Sequence, residues 1–405
     1  MGSSVIDSVE NFLAEDEESP RSAPKLSSKE LALENEIWKR ADSIPLDHVK
    51  EASDTYLEGY LQALVDMNYY EYRVVVTVKD RQVYLSNLPY NRLLANSVKS
   101  FVEDFPGLRA VHVIKPITDS DIVDGSVQVP AEIHVVREEN PVPTKQIEGV
   151  WLPQSTVLFP PLVASPRQVT YSIAYRPFDN AISKEVIAIS FGDDFPIYRW
   201  RDVWKWHGDL QVGIEGGVWA VFNRRSKNTW ADLINADYYV GIPWAYAYDN
   251  WSHRFRLYHV STHLGDEFIF KHPKFVKNKV SFEAIDFYSS YQLTEAIRLY
   301  GGVGWIFSKK NPLYTEWGTE LRLLGHKNLY YGLYGQPFLA MHFHLESGKK
   351  AKNSVTYALG YEWSKLQGIG RKMRLFFQYH DGYSVDGQFS AFKANYLSLN
   401  FSYGF

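Results

Sequence analysis

The chain has 405 residues, a formal net charge of −4 and no cysteine, a length sufficient for a sizeable core or a barrel beside a smaller unit. Near-balanced charge offers no basic field for nucleic acid, and the missing cysteines exclude disulfides, thiolate nucleophiles and thiolate metal sites. Aromatic residues make up 16%, including 28 Tyr and 12 Trp; with no apolar run of about 18 residues, only a closed strand barrel would carry this chain through a bilayer.

The N-terminus, Met1-Gly-Ser-Ser-Val-Ile6, lacks a basic stretch ahead of an apolar core. It is not a secretory signal, so an exported protein would carry this numbering on a trimmed or mature chain. Residues 1–27 are acidic and aperiodic, as in Glu15-Asp-Glu-Glu18, and Ser28-Lys-Glu-Leu31 opens a short helix through Trp38. Residues 1–51 are therefore expected as an acidic disordered tail with a short helix.

Residues 52–116 carry a compact pattern. Asp54 is placed to cap a helix in which Tyr56, Leu57, Tyr60, Leu61 and Leu64 recur at helical spacing. Strands from Tyr72 to Val78 and from Gln82 to Leu85 flank the turn Lys79-Asp80-Arg81. A second helix from Asn91 to about Asp104 puts Leu94, Val98, Phe101 and Val102 on one face, Pro106-Gly107 ends it, and Leu108 to Ile114 closes the unit as a strand. With Val76-Thr-Val-Lys-Asp-Arg-Gln-Val-Tyr-Leu-Ser86 and Pro106-Gly-Leu-Arg-Ala-Val-His-Val113, this α-β-β-α-β order resembles the BON domain of bacterial envelope proteins. The resemblance implies periplasmic placement and contact with phospholipid or protein; a packed spacer without a ligand is the plainer alternative.

Over residues 117–167, prolines 141, 143, 153, 160, 161 and 166 deny donors to any sheet and mark an extended connector. Residues 168–405 then read as roughly twelve alternating segments, each near the length of a tilted membrane strand. The clearest are Trp204 to Phe222, Ala236 to Ala247, Arg254 to His263, Ala296 to Phe307, Leu329 to Leu345, Val355 to Trp363, Met373 to His380 and Ala391 to Phe405. His207, Asp209, Gln211, Gly213 and Glu215 alternate with Leu210, Val212 and Ile214; Glu316, Gly318, Glu320 and Arg322 alternate with Trp317, Thr319, Leu321 and Leu323. A polar lumen and an apolar exterior follow. The last strand, ending at Phe405, resembles the terminal signal of bacterial outer-membrane barrels, which implies the barrel-assembly machinery and membrane lipids as partners. The expected fold is mainly β: a roughly twelve-stranded antiparallel transmembrane barrel behind a small α+β, BON-like domain.

In the strand from Arg254, Phe255 and Leu257 share a face with His259, Ser261 and His263, while Arg254, Arg256 and Tyr258 take the other. A C-terminus in the periplasm places His259 and Ser261 near the outer end of this strand, facing lipid. Same-face neighbours lie about 6.5 to 7 Å apart, so the imidazole can lean toward the hydroxyl and serve as the base a serine nucleophile needs. The base needs an orienting partner in turn. A loop symmetric about Lys271 sets Glu283 opposite His259, with Asp266 and Glu267 as loop alternatives; Gly265 is one candidate oxyanion donor.

His259-Val260-Ser261 resembles the histidine-x-serine of outer-membrane phospholipase A and of outer-membrane lipid A deacylase, barrels whose active sites face lipid. The resemblance implies a serine-dependent lipid acyl-ester hydrolase, and it is the sole ground for calcium as a cofactor. The chain departs from both, because Pro273 stands about twelve residues on, where a third catalytic residue is expected. The longer string His259-Val-Ser-Thr-His-Leu-Gly-Asp-Glu267 is similar to a bacterial family of outer-membrane proteins known only as a domain of unknown function. A non-enzymatic barrel, anchoring the small domain or forming a narrow pore, is the alternative. A metal is the weaker reading of His342, His344 and Glu346 on one strand face, and of His259, His263 and Asp266; a polar lumen lining explains the first three as well.

Overall fold

The computed structural model describes residues 52–69, 72–89, 91–105, 107–114, 149–153, 157–224, 231–277, 281–307, 313–328, 333–347, 352–365 and 370–405. The expected tail and helix of residues 1–51 and the connector prolines at 141 and 143 lie outside the described residues. The chain divides into the units Met1–Ser53 and Asp54–Phe405, and everything below concerns the second.

That unit begins with helix α1 (Asp54–Tyr69), strands β1 (Val75–Lys79) and β2 (Gln82–Ser86), helix α2 (Arg92–Glu103) and strand β3 (Ala110–Val113). The helix buries Leu57, Leu61, Val65 and Tyr69, one residue per turn, and α2 buries Leu94, Val98 and Val102. Asn91 caps α2 by accepting the Leu94 amide at 3.2 Å. Asp54 reaches across to the β1–β2 turn, where its carboxylate accepts the amides of Asp80 (2.5 Å) and Arg81 (3.2 Å). Both turn residues have positive φ, 52° and 61°, the twist that suits a two-residue hairpin.

The barrel follows. Its strands are β5 (Tyr171–Asp179), β6 (Ser183–Val203), β7 (Gly208–Asn223), β8 (Asp232–Tyr248), β9 (Trp251–Leu264), β10 (Ser281–Gln292), β11 (Ile297–Ile306), β12 (Leu313–Arg322), β14 (Leu333–Glu346), β15 (Lys352–Lys365), β16 (Lys372–Tyr383) and β17 (Lys393–Gly404). Each pairs antiparallel with the next; β17 pairs with β5, and β12 with β14 past the short β13 (His326–Asn328). The ring therefore closes on twelve strands, with β4 (Gly149–Trp151) added beside β6. Closure removes the unpaired edges an open sheet would leave.

Alternation sorts the side chains as period two requires. On β17, Leu397, Leu399, Phe401 and Tyr403 are exposed on the outside, while Tyr396, Ser398, Asn400 and Ser402 are buried in the lumen. Asp209, Gln211 and Glu215 on β7, and Glu320 on β12, are likewise buried inward, with Ile214 and Trp317 outward. One expected lumen residue departs from this: His207 precedes β7 in a tight turn, with φ of 54°, and pairs with Asp202 at 2.7 Å.

The lumen is occupied. Residues 157–168, the end of the proline-rich stretch, run inside the barrel. Arg298 donates to the carbonyls of Pro160 (2.8 Å) and Pro161 (2.9 Å), the Val163 amide donates to Glu320 at 2.9 Å, and Ser252 donates to the Leu158 carbonyl. Ala164 packs with Phe338, Ala340, Ala358 and Phe376. The carbonyls of Pro160 and Pro161 are both satisfied by Arg298 of the wall, which is why this stretch needs no strand partner.

Around it the wall is charged and internally paired. Glu320 meets Arg298 (3.3 Å) and Arg322 (2.9 Å), and Glu362 meets Arg322 (2.9 Å), Arg374 (3.0 Å) and Lys372 (3.5 Å). The small α/β module sits at the barrel end where the chain terminates. Arg92 donates to the Asp249 carbonyl (2.8 Å) in the β8–β9 turn, and Arg199, fully buried on β6, donates to the Tyr72 hydroxyl (2.8 Å). At the opposite end, helix α3 (Asp266–Lys271) and the turn at Gly387–Phe389 bring Phe268 and Phe389 together with Ile234.

Candidate functional site

Strands β9 and β10 carry two histidine–serine contacts on the outward face, His253 Nδ1 with Ser289 Oγ at 2.8 Å toward one end and a group around His259 toward the other. Their register pairs His259 with Glu283 and Ser261 with Ser281. Phe255, Leu257 and Phe287 on the same face are exposed, and Arg254, Arg256 and Tyr258 line the lumen. The His259 imidazole is shared between the two strands: its Nδ1 lies 3.1 Å from Glu283 Oε1, and its Nε2 lies 3.5 Å from Ser281 Oγ.

A carboxylate accepts but cannot donate. The Glu283 contact therefore selects the tautomer with the proton on Nδ1, leaving Nε2 to accept from the Ser281 hydroxyl. The order carboxylate, imidazole, hydroxyl is that of a serine hydrolase charge system. All three groups are accessible: the His259 side chain is 40% and that of Glu283 60% exposed.

Of the two serines, it is Ser281 that reaches the imidazole. Among the described residues Ser261 makes no hydrogen bond to His259, although it stands directly across the ladder from Ser281. The same-strand lean expected for Ser261 gives way to a diagonal cross-strand contact between His259 and Ser281, a separation that a long or aromatic side chain can span. The signal that identifies Ser281 is the symmetric pairing about Lys271 that also sets Glu283 opposite His259, carried two pairs further along the ladder.

The loop alternatives fall elsewhere. Asp266 and Glu267 form the first turn of α3, and no contact joins either to His259 among the described residues. Gly265 is buried ahead of this helix and its amide donates to the Ile234 carbonyl at 3.0 Å, so that amide is not available as an oxyanion donor. His263 lies on the outside against Tyr238, ring centres 5.6 Å apart.

His342, His344 and Glu346 face the lumen on β14. Both imidazoles turn to one carboxylate, Glu316 on β12: His344 Nδ1 to Oε1 at 2.8 Å, His342 Nε2 to Oε2 at 3.5 Å. Glu346 lies two pairs further along, opposite Tyr314 and Lys352. Among the described residues no three His, Asp or Glu side chains are arranged to hold a metal ion. His342, His344 and Glu316 form a hydrogen-bonded lumen cluster.

Solved structures with a similar chain path include outer membrane phospholipase A from Escherichia coli, at 11% identity and TM-score 0.39, covering 58% of this chain and 88% of that one. LpxR from Salmonella typhimurium matches at 11% identity and TM-score 0.32, over 58% of this chain and 100% of that one. The β domain of the Bordetella autotransporter BrkA matches at 12% identity and TM-score 0.31, over 58% and 98%. No curated protein matches the chain. A family profile described as "Protein of unknown function (DUF1207)" matches residues 71–405, most of the sequence, and the chain belongs to that family.

Proposed function

We propose that this protein is an outer-membrane barrel carrying a serine-dependent lipid acyl-ester hydrolase site on its lipid-facing wall. The observation that carries the reading is the Glu283–His259–Ser281 arrangement on an apolar outer face. A buried or lumen-facing triad would serve a soluble ester; this one meets whatever surrounds the barrel. With the C-terminus in the periplasm, β9 rises outward and β10 descends, so the site lies toward the outer leaflet and membrane lipids are its substrate and partner. The strand ending at Phe405 would be the segment read by the barrel-assembly machinery.

In the proposed reaction Ser281 Oγ attacks the acyl carbonyl and His259 Nε2 takes its proton. Glu283 holds the imidazolium that results. The proton passes to the departing alcohol oxygen, and the alcohol leaves an acyl-serine. Water, deprotonated by the same imidazole, then releases the fatty acid. Backbone amides in the ladder are already bonded, so the oxyanion takes its hydrogen bond from Ser261, whose hydroxyl faces Ser281 across the strand pair.

The test is fatty acid release from phospholipid or lipid A by the purified protein in detergent. Ser281→Ala should abolish release; Ser261→Ala should slow it by about 10²-fold, the usual cost of one oxyanion donor. Equal, negligible release by wild type and both variants would remove the enzyme reading.

One observation favours a second, non-enzymatic reading. The small module is fastened to the barrel end through Tyr72, Arg92 and Asp249, as an anchor for a BON-like periplasmic domain would be. The two readings are compatible, since the site and the module occupy different ends.

A further inference from the structure

The lumen holds a partly open cavity of about 270 Å³, bordered by Leu162 and Ser165–Gln168 and by Tyr383–Val385, Gly387 and Ser390. Its size is near the lower end of small-molecule sites, roughly 300–1,000 Å³. The wall is aromatic, with Trp219, Tyr239, Tyr258, Tyr288 and Tyr314. Four of these rings have no hydroxyl to offer: Tyr288 donates to Glu316, Tyr239 to Glu215, Tyr314 to Asp286 (3.0 Å), and Tyr258 and Tyr314 share a bond of 2.7 Å. What they present to the cavity is ring surface.

Most of the charges along the wall are paired as well, and Lys352 donates to the Ser390 carbonyl at 2.8 Å. Arg256 pairs with Asp286 and Glu215, Arg167 with Asp237 and Asp386, and Glu316 with two histidines. Arg254 lines the same cavity at 7% exposure with no ion pair or hydrogen bond among the described residues, and its Nε is a buried donor without an acceptor. Its guanidinium is held between the rings of Phe159 (4.5 Å) and Tyr288 (5.1 Å). Asp194 lies within electrostatic reach but closes no bond to it. A buried, unpaired cation is costly, and the groups around it fix its position without neutralising it.

We infer that this cavity is a binding site for a small organic carboxylate with a flat apolar body. The carboxylate pairs with Arg254, whose two terminal nitrogens match its two oxygens, and the body lies against the tyrosine rings. The site is separate from the lipid-facing triad: Arg254 and His259 sit on opposite faces of β9.

The probe is benzoate, with benzamide as its neutral isostere, titrated calorimetrically into the full-length protein in detergent. Benzoate should bind at least about tenfold more tightly than benzamide, a difference of about 1.4 kcal/mol. Arg254→Gln should erase that preference, and Arg254→Lys should keep part of it. Heat-modifiability of each variant on electrophoresis shows that the barrel is intact. No benzoate binding to the wild type at millimolar concentration, equal affinity for the two probes, or an unchanged preference in a folded Arg254→Gln protein would each overturn the assignment.

Discussion

Replacing Arg298 with methionine should loosen the segment that fills the lumen. Arg298 is 2% exposed and donates to Ser290 (2.7 Å), Pro160 (2.8 Å) and Pro161 (2.9 Å), with Glu320 at 3.3 Å. Methionine keeps the length and the apolar stem but leaves two carbonyls unbonded and Glu320 short of a cation. Removing one partner of a buried ion pair costs about 3–5 kcal/mol. Glu320 retains Arg322 and the Val163 amide, so the lower figure, about 3 kcal/mol, applies. At about 1.4 kcal/mol per decade, that is roughly a hundredfold rise in the open population of the segment. Hydrogen exchange of the peptide covering residues 157–168 in detergent reads this directly, through the Val163 amide. Wild-type exchange rates in a folded Arg298→Met barrel would refute the view that wall arginines hold the segment in place.

Wild-type protein in planar bilayers should show no steady conductance, because the lumen is filled, and Arg298→Met should show intermittent steps. Gly265→Ala should be destabilising: a Cβ there would stand 1.9 Å from the Leu233 carbonyl oxygen, so β8 and α3 must separate at a cost of about 1–3 kcal/mol, seen as a lower temperature for loss of the heat-modifiable form. Tyr72→Phe removes the hydroxyl from buried Arg199, a charged hydrogen bond worth about 1.5–3 kcal/mol. Limited proteolysis should then release the small module about tenfold faster or more while the barrel stays resistant.

The barrel was legible in the sequence because its physics is local. Period-two alternation gave eight clear segments their inward and outward faces, and Leu397 to Tyr403 and Asp209 to Glu215 fall on the faces expected. Strand β6 was harder to read: it runs from Ser183 to Val203 with register shifts around Pro196 and after Trp200, which interrupt the alternation. The filling of the lumen was not legible. Prolines 160 and 161 signal an extended chain wherever they occur, and their partner Arg298 lies about 140 positions away, joined only by closure of the ring.

The candidate site divides in the same way. That His259 and Ser261 share the face of Phe255 and Leu257 follows from alternation alone; which face points outward depends on the barrel. Glu283 beside His259 follows from alternation and a symmetric loop together, and Ser281 from the same register. Which hydroxyl the imidazole takes depends on rotamers and cross-strand distance, and neither is written in the spacing of residues along one strand. The lumen histidines illustrate the limit from the other side: His342 and His344 have metal-ligand spacing, but Glu316 and Tyr300 from neighbouring strands already occupy them.

The most direct test of the central claim is labelling with a fluorophosphonate, which reacts with an activated serine and records which one. Mass spectrometry of the wild-type protein should find the phosphonate on Ser281, with labelling lost in His259→Ala and strongly reduced in Glu283→Gln. A modified Ser261 with Ser281 untouched would reverse the roles given to the two hydroxyls. An unlabelled protein, folded and heat-modifiable, would contradict the account of this wall as a hydrolytic site.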